Sequence, residues 1–400
     1  MRSHLFLISA SGAVMFFPLS HLLPLPPSLW QLHPVYTDIE PIKALLDVDK
    51  EWRPWTVSYT GGFQTAVSFA TPLAVLLFCI QLQEEDRMRL LPLVIGLSTI
   101  SGLIGLLQTL GDPIGPLYIY RITNEGSAVG LFANRNHAAT LLACLFPMLA
   151  VYPFLTRGSG NDKRRRLLWS FVISLVLVPL ILITGSRSGL VIAIIGLVGG
   201  ALLYGQQDHE RRILDRSTAK MAVVRLAAGV TIFGLGIITV ILSRAEAVER
   251  FWMQDGGDNR ADFLAVSSDM FSRYFPLGSG SGSFVEMYQF SEPARLLDPT
   301  YLNRAHNDWA EILVTLGIPG LAIILSAIGT YCWRTYHIWR HGGASRRPTV
   351  LARMAGVTIG MISLASFFDY PLRTPIMLSI FVIFLLWFVG EQAPTPEPAS

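Results

Sequence analysis

Long apolar runs separated by short polar stretches recur along almost the whole chain. A helix needs about 20 apolar residues to cross the hydrocarbon core of a bilayer. Ten runs approach that length, at 5–23, 62–80, 90–110, 137–156, 167–184, 189–204, 222–243, 307–333, 350–367 and 373–390. The pattern predicts an all-α polytopic membrane protein with about ten transmembrane helices. It reads as one integral membrane domain over 1–390, followed by a Pro-rich, disordered tail at 391–400. The runs 167–184 and 189–204 are the hardest to divide, and read as a helical hairpin bent at Thr184-Gly185-Ser186-Arg187-Ser188-Gly189. The first run follows a short basic start, Met1-Arg2-Ser3-His4. It is followed by Leu-Pro-Leu-Pro-Pro rather than a small-x-small cleavage site, which favours a retained span over a signal peptide.

Composition agrees with that pattern. Of 400 residues, 52% are hydrophobic and 15% charged, and the mean hydropathy is +0.47. A soluble domain carries about 25% charged residues. The net charge of +3 is small, and no basic stripe with interleaved aromatics is present, so nucleic acid is not an expected partner. Cys79, Cys144 and Cys332 each fall within or at the end of an apolar run without a CxxC pair. They read as small hydrophobes rather than as a disulfide framework or a zinc site.

Charge placement orients the runs, because cytoplasmic loops carry the Lys/Arg excess. Loop 157–166 has five basic residues and one acidic, loop 205–225 five and three, and loop 334–353 five and none. With those three inside, alternation places 24–61, 111–136, the 185–188 bend, 244–306 and 368–372 outside. Segment 244–306 has six basic and nine acidic residues, as an outside loop should. Both termini are then cytoplasmic, and 244–306 is a large periplasmic loop of an inner-membrane protein. Its Gly/Ser-rich stretch, Phe275 to Phe284, reads as turn-dense. The glycine spacing there only loosely mimics a nucleotide-binding loop, since neither a preceding strand nor a phosphate lysine accompanies it.

The unusual polar clusters all fall on that outer face. They are Asn134-Arg135-Asn136-His137, Ser186-Arg187-Ser188, Asn259-Arg260, Arg304-Ala305-His306-Asn307-Asp308, and Asp369-Tyr370-Pro371-Leu372-Arg373. Arginines placed against the positive-inside bias, at a membrane boundary, call for an anionic partner.

Several segments together resemble the O-antigen ligase family, which includes related polymerases and protein oligosaccharyltransferases. They are Gly130 to His137, Thr184 to Gly189, Arg260 leading into Phe275-Pro276-Leu277-Gly278-Ser279-Gly280, and Ala305-His306-Asn307-Asp308 followed by Glu311 and Leu316-Gly317-Ile318-Pro319-Gly320-Leu321. Phe368-Asp369-Tyr370-Pro371-Leu372 is similar to the family's closing motif. The resemblance covers about residues 50–390, and it rests on the order, spacing and shared face of the motifs. Family members often have about twelve spans against the ten counted here. The resemblance implies a GT-C-like architecture and a metal-independent transferase without cofactor. It implies a glycan donor on undecaprenyl diphosphate, an acceptor hydroxyl on lipid A-core or a growing glycan, and membrane lipids as surroundings.

Such chemistry needs a cationic cradle for the diphosphate and a base for the acceptor hydroxyl. Arg187 is the first cradle candidate, because it opens a helix where backbone amides attract phosphate and Ser186 and Ser188 add hydroxyls. A guanidinium also holds two phosphate oxygens at once. Arg260 resembles the family's diphosphate-pairing loop arginine; the alternative is a surface ion pair with Asp258 or Asp262, which would contribute little. Arg135 and Arg304 follow. Asn134 and Asn136 either bind sugar hydroxyls or cap the helix that starts near 137. His306 is the candidate base, since an imidazole titrates near neutral pH. Asp308 at i+2 and Glu311 at i+5 do not share its helical face, so its orienter must come from elsewhere, with Asp369 the candidate. Asp308 is kept as a supporting residue.

Two rivals stand beside this reading. Asp47-Val48-Asp49 with Glu51 has the composition to hold a hard cation, although a solvated acidic loop is commoner. A transporter or flippase of a lipid-linked or anionic solute calls for discontinuous helices, midplane charges and repeats; here the charges gather at one face and no repeat is visible.

Overall fold

A computed structural model describes residues 2–38, 45, 50–155, 160–212, 260–297, 302–342 and 346–390. It is helical almost throughout, and its one sheet among the described residues is a pair of two-residue strands. Seven helices are long and apolar enough to cross a membrane, and two shorter apolar ones occupy Leu7–Ser20 and Pro375–Val389. Nine of the ten predicted runs are thus helices in the structure; the tenth, 222–243, lies outside the described residues.

The chain divides into two compact units. In the first, α1 (Arg2–Ser20) packs against α2 (Tyr59–Ser68). Between them Pro24–Leu25 pairs antiparallel with Arg53–Pro54. Helix α3 (Ala70–Gln81) continues from α2 after a junction at Phe69.

The Gly/Ser segment expected to be only turns is flanked by two helices of the same unit, α8 (Arg260–Tyr274) and α9 (Phe284–Ser291). The cause is a helical stripe on α8. Phe263, Val266, Met270 and Tyr274 recur every three to four residues and pack with Phe284, Met287 and Tyr288. Burying that face stabilises a helix too polar on its other side to be noticed among the spans.

In the second unit, α4 (Glu84–Leu110), α6 (Gly160–Ile183), α7 (Arg187–Arg212) and α11 (Arg347–Ala365) surround α5 (Arg135–Leu155), which is buried along most of its length. Small residues on α7 set the closest approach. A Cβ at Gly189 would stand 2.3 Å from the Ala139 methyl, and one at Gly196 would stand 2.7 Å from the Ala143 carbonyl oxygen. Without a hydrophobic force between helices in lipid, close backbone contact of this kind is what holds them together. The α6–α7 hairpin turns at Gly185, whose φ of +64° suits glycine.

Helix α10 (Asp308–His341) is longer than the predicted run and is broken at Gly317 (φ 57°, ψ −135°). The break leaves carbonyls without intrahelical donors. Ser279 and Gly280 donate their backbone N–H groups to Val314 and Thr315 oxygens at 2.8 and 3.0 Å, and Ile318 donates to Pro276 at 2.9 Å. The Gly/Ser loop is therefore the partner of a broken helix. Helix α12 (Pro375–Val389) closes the described chain. Of the cysteines, Cys79 and Cys144 are buried, Cys332 is exposed, and all three are free.

Candidate active site

His306 lies two residues before α10, with φ of 48°, the one positive φ at a non-glycine residue among those described. A left-handed histidine is sterically costly, by about 1–3 kcal/mol, and persists only where its surroundings fix it. Those surroundings belong to the first unit and are built from charges. Glu311, 2% exposed, accepts from the Arg304 guanidinium at 2.9 Å and from the Ala305 backbone N–H at 3.2 Å. Arg373 lies 3.5 Å from Glu311 and 3.3 Å from Asp308. Asp308 is also buried, and accepts from the Ser366 hydroxyl at 2.9 Å and the Leu372 N–H at 3.3 Å. Asn307 accepts the Ala310 N–H at 3.0 Å, capping the helix start.

This network draws the 366–373 segment up to the start of α10 and brings Asp369 beside His306. Nδ1 of His306 stands 3.3 Å from Asp369 Oδ1, which also accepts the Tyr370 N–H at 2.9 Å. With Nδ1–H donated to the carboxylate, Nε2 keeps the lone pair that can take a proton. The imidazole is stacked against Phe263 at 6.4 Å and meets Tyr370 edge-on at 5.1 Å.

A second cluster sits in the other unit at the starts of α5 and α7. Asn134 accepts the Asn136 N–H at 2.8 Å and so caps α5, while Asn136 accepts the Ser186 hydroxyl at 2.7 Å. Ser186 in turn accepts the Gly189 N–H at 3.0 Å, capping α7. The Arg135 guanidinium lies 3.5 Å from where a Cβ of Gly185 would be, and Arg187 is exposed at the head of α7. Arginines, hydroxyls and a helix N-terminus are thereby assembled in one place.

The candidates thus fall into two groups. His306, Asp369, Asp308 and Arg304 come together in one unit, and Arg135, Asn136, Ser186 and Arg187 in the other. Arg304 is held by Glu311, and Asp308 secures the 366–373 segment. Arg260 begins α8. Asp262, weighed as its ion-pair partner, lies 2.8 Å from Arg295. Of the acidic cation candidate, Asp47 and Asp49 lie outside the described residues, and Glu51 pairs with Arg53 at 3.0 Å. Among the described residues no group of three or more His, Cys, Asp or Glu stands close enough to share a metal ion.

Sequence reasoning gave no role to Glu311, Arg373, Ser366 or Tyr370. Glu311 and Arg373 were visible as charges at the edges of apolar runs. Their pairing spans 62 positions and has no local signature.

An all-α chain with many membrane-length helices, carrying a histidine–carboxylate pair at a helix start, belongs to the polytopic membrane proteins with a polar site. The family model for O-antigen ligase matches residues 172–325 and supports membership of the O-antigen ligase/polymerase family. That range runs from within α6 through the break in α10. It includes Ser186, Arg187, Arg260, Arg304, His306 and Asp308; Arg135 and Asn136 precede it and Asp369 follows it. No curated protein matches the chain. The match supports a glycan-transferring role in the assembly of O-antigen or a related polysaccharide.

Proposed function

We propose that the protein moves a glycan from undecaprenyl diphosphate to an acceptor hydroxyl on the periplasmic face of the inner membrane, without a metal ion. The observation that carries this reading is the His306–Asp369 pair, fixed in a left-handed turn by buried charges. The acceptor hydroxyl attacks the anomeric carbon, and the bond from that carbon to the diphosphate oxygen breaks. Nε2 of His306 takes the hydroxyl proton while Asp369 holds Nδ1–H and stabilises the imidazolium that forms. The lipid diphosphate leaves with its charge balanced by arginine. Arg187, exposed at a helix N-terminus, is the foremost residue for that task, with Arg135 beside Gly185 and Arg260 and Arg304 as further candidates. Fixed guanidinium groups would take the electrostatic role that a divalent cation has in other transferases.

The test is reconstitution of purified protein with a lipid-diphosphate-linked glycan and an acceptor. His306→Ala should abolish transfer with insertion unchanged, and Arg187→Ala should raise KM for the donor. Wild-type transfer by the His306 variant would overturn the assignment. Reporter fusions test the face, since His306 and Arg187 must both be non-cytoplasmic. Glycan from a deletion strain separates two acceptors: free polymer marks a ligase acting on lipid A-core, and single or capped units mark a polymerase acting on a growing glycan.

A further inference from the structure

The segment following α4 goes on exposing large apolar side chains after the helix has ended. Leu103, Leu107 and Leu110 form an exposed stripe on α4 at helical spacing, as expected of a face turned to lipid. Beyond the helix end, Ile114 (77% exposed), Ile119 (62%) and Ile122 (74%) are exposed as well, with Tyr120 and Arg121 between the last two.

This loop is built to hold its shape. Gln108, 1% exposed, uses its whole amide: Nε2 donates to the Leu117 and Gly130 oxygens at 2.9 and 3.0 Å, and Oε1 accepts from Val129 and Gly130 at 3.1 and 2.8 Å. Asp112 accepts the Ile114 N–H at 3.0 Å, and the Tyr118 hydroxyl donates to the Ser127 oxygen at 3.1 Å. Residues 112–118 are tied by these bonds, and 119–122 run from there to the next anchor at Thr123 and Asn124; isoleucines held outward between such anchors would carry a standing hydrophobic cost in water.

We infer that residues 112–122 form an interfacial foot that inserts Ile114, Ile119 and Ile122 into the bilayer leaflet bordering the C-terminal end of α4. Tyr120 and Arg121 sit at headgroup level, where aromatic rings and snorkelling cations are favoured. Their place directly after α4, a helix long and apolar enough to cross a membrane, identifies lipid as the occupant. The foot is tied to the polar cluster of its own unit, since Asn124 donates to the Ala133 oxygen at 2.9 Å and accepts the Arg135 N–H at 3.0 Å. Insertion of the foot therefore sets the depth of the α5 N-terminus at the plane of lipid phosphates. The inference does not depend on the transferase reading.

The test uses variants in a Cys79→Ser, Cys144→Ser, Cys332→Ser background, each with one new cysteine carrying an environment-sensitive fluorophore, at Ile119→Cys or, independently, at Ile114→Cys. The full chain is reconstituted in vesicles of phosphatidylethanolamine and phosphatidylglycerol. Blue-shifted emission, strongly quenched by nitroxide placed high on the acyl chain and not by iodide, is the expected result; a label at Glu125→Cys should respond to iodide. Iodide quenching at 114 and 119 would overturn the proposal, and so would shielding from both quenchers, which means protein covers the loop.

Discussion

Glu311 accepts the backbone N–H of Ala305 at 3.2 Å, although the two lie six positions apart and the start of a helix intervenes. A buried carboxylate thereby holds the peptide just before His306, and Arg304 and Arg373 balance its charge. The left-handed conformation of His306 follows from this clamp on one side and from Asp369 on the other.

Glu311→Ala should strip two arginines of their counter-charge. Removing one partner of a buried pair costs about 3–5 kcal/mol. Arg304 and Arg373 keep 32% and 23% of their side chains exposed, so a loss of about 3 kcal/mol is expected, read as a lowered Tm in detergent. Glu311→Gln should melt closer to wild type yet lose kcat at unchanged KM, because the histidine loop is loosened while donor contacts persist. Equal effects on kcat and KM would point to a role in binding instead.

Asp369→Asn should keep the fold and slow transfer by about 100-fold or more, since an amide can present N–H to Nδ1 and favour the wrong tautomer. Single-turnover rates with pre-bound donor measure this directly. A rate within twofold of wild type would remove Asp369 from the mechanism.

Gly317→Ala should fail to reach the native state in good yield. At φ 57° and ψ −135° a side chain is strained, and its Cβ would lie 2.2 Å from the Pro276 oxygen. The loop at 276–280 must then move, pulling the N–H groups of Ser279 and Gly280 away from the Val314 and Thr315 carbonyls. A cost of at least about 3 kcal/mol is expected, checked by thermal unfolding of whatever fraction inserts.

His33 predicts a pH dependence of stability. It is fully buried, and burial, helped by His21 and opposed by a bond to the Gly278 backbone, lowers its pKa to about 4 from an ordinary 6.5. The unfolded chain therefore binds the proton first. The contribution is complete above pH 6.5 and is lost as pH falls towards 4, by about 3 kcal/mol over that window. Melting curves from pH 7.5 to 4 should fall more steeply for wild type than for His33→Asn; parallel curves would show that His33 is not the group involved.

Much of the architecture was legible because a bilayer imposes one length and one composition on every crossing segment. Runs such as 137–156 and 350–367 could be read as helices, α5 and α11, from apolar length alone. His306, Asp369, Arg187 and Ser186 stood out because polar residues at membrane boundaries are costly unless used. The tertiary structure decided the rest. Helix α8 was hidden because its apolar stripe is partial and becomes a core only against α9. The break at Gly317 has no signature apart from glycine itself, since it needs the amides of Ser279 and Gly280 from a loop far away in sequence. The pairing of Glu311 with Arg373, and of His306 with Asp369, depends on segments some 60 residues apart meeting at one helix start. Apolar length is a local property that a sequence displays, whereas a buried charge finds its partner only when the chain folds.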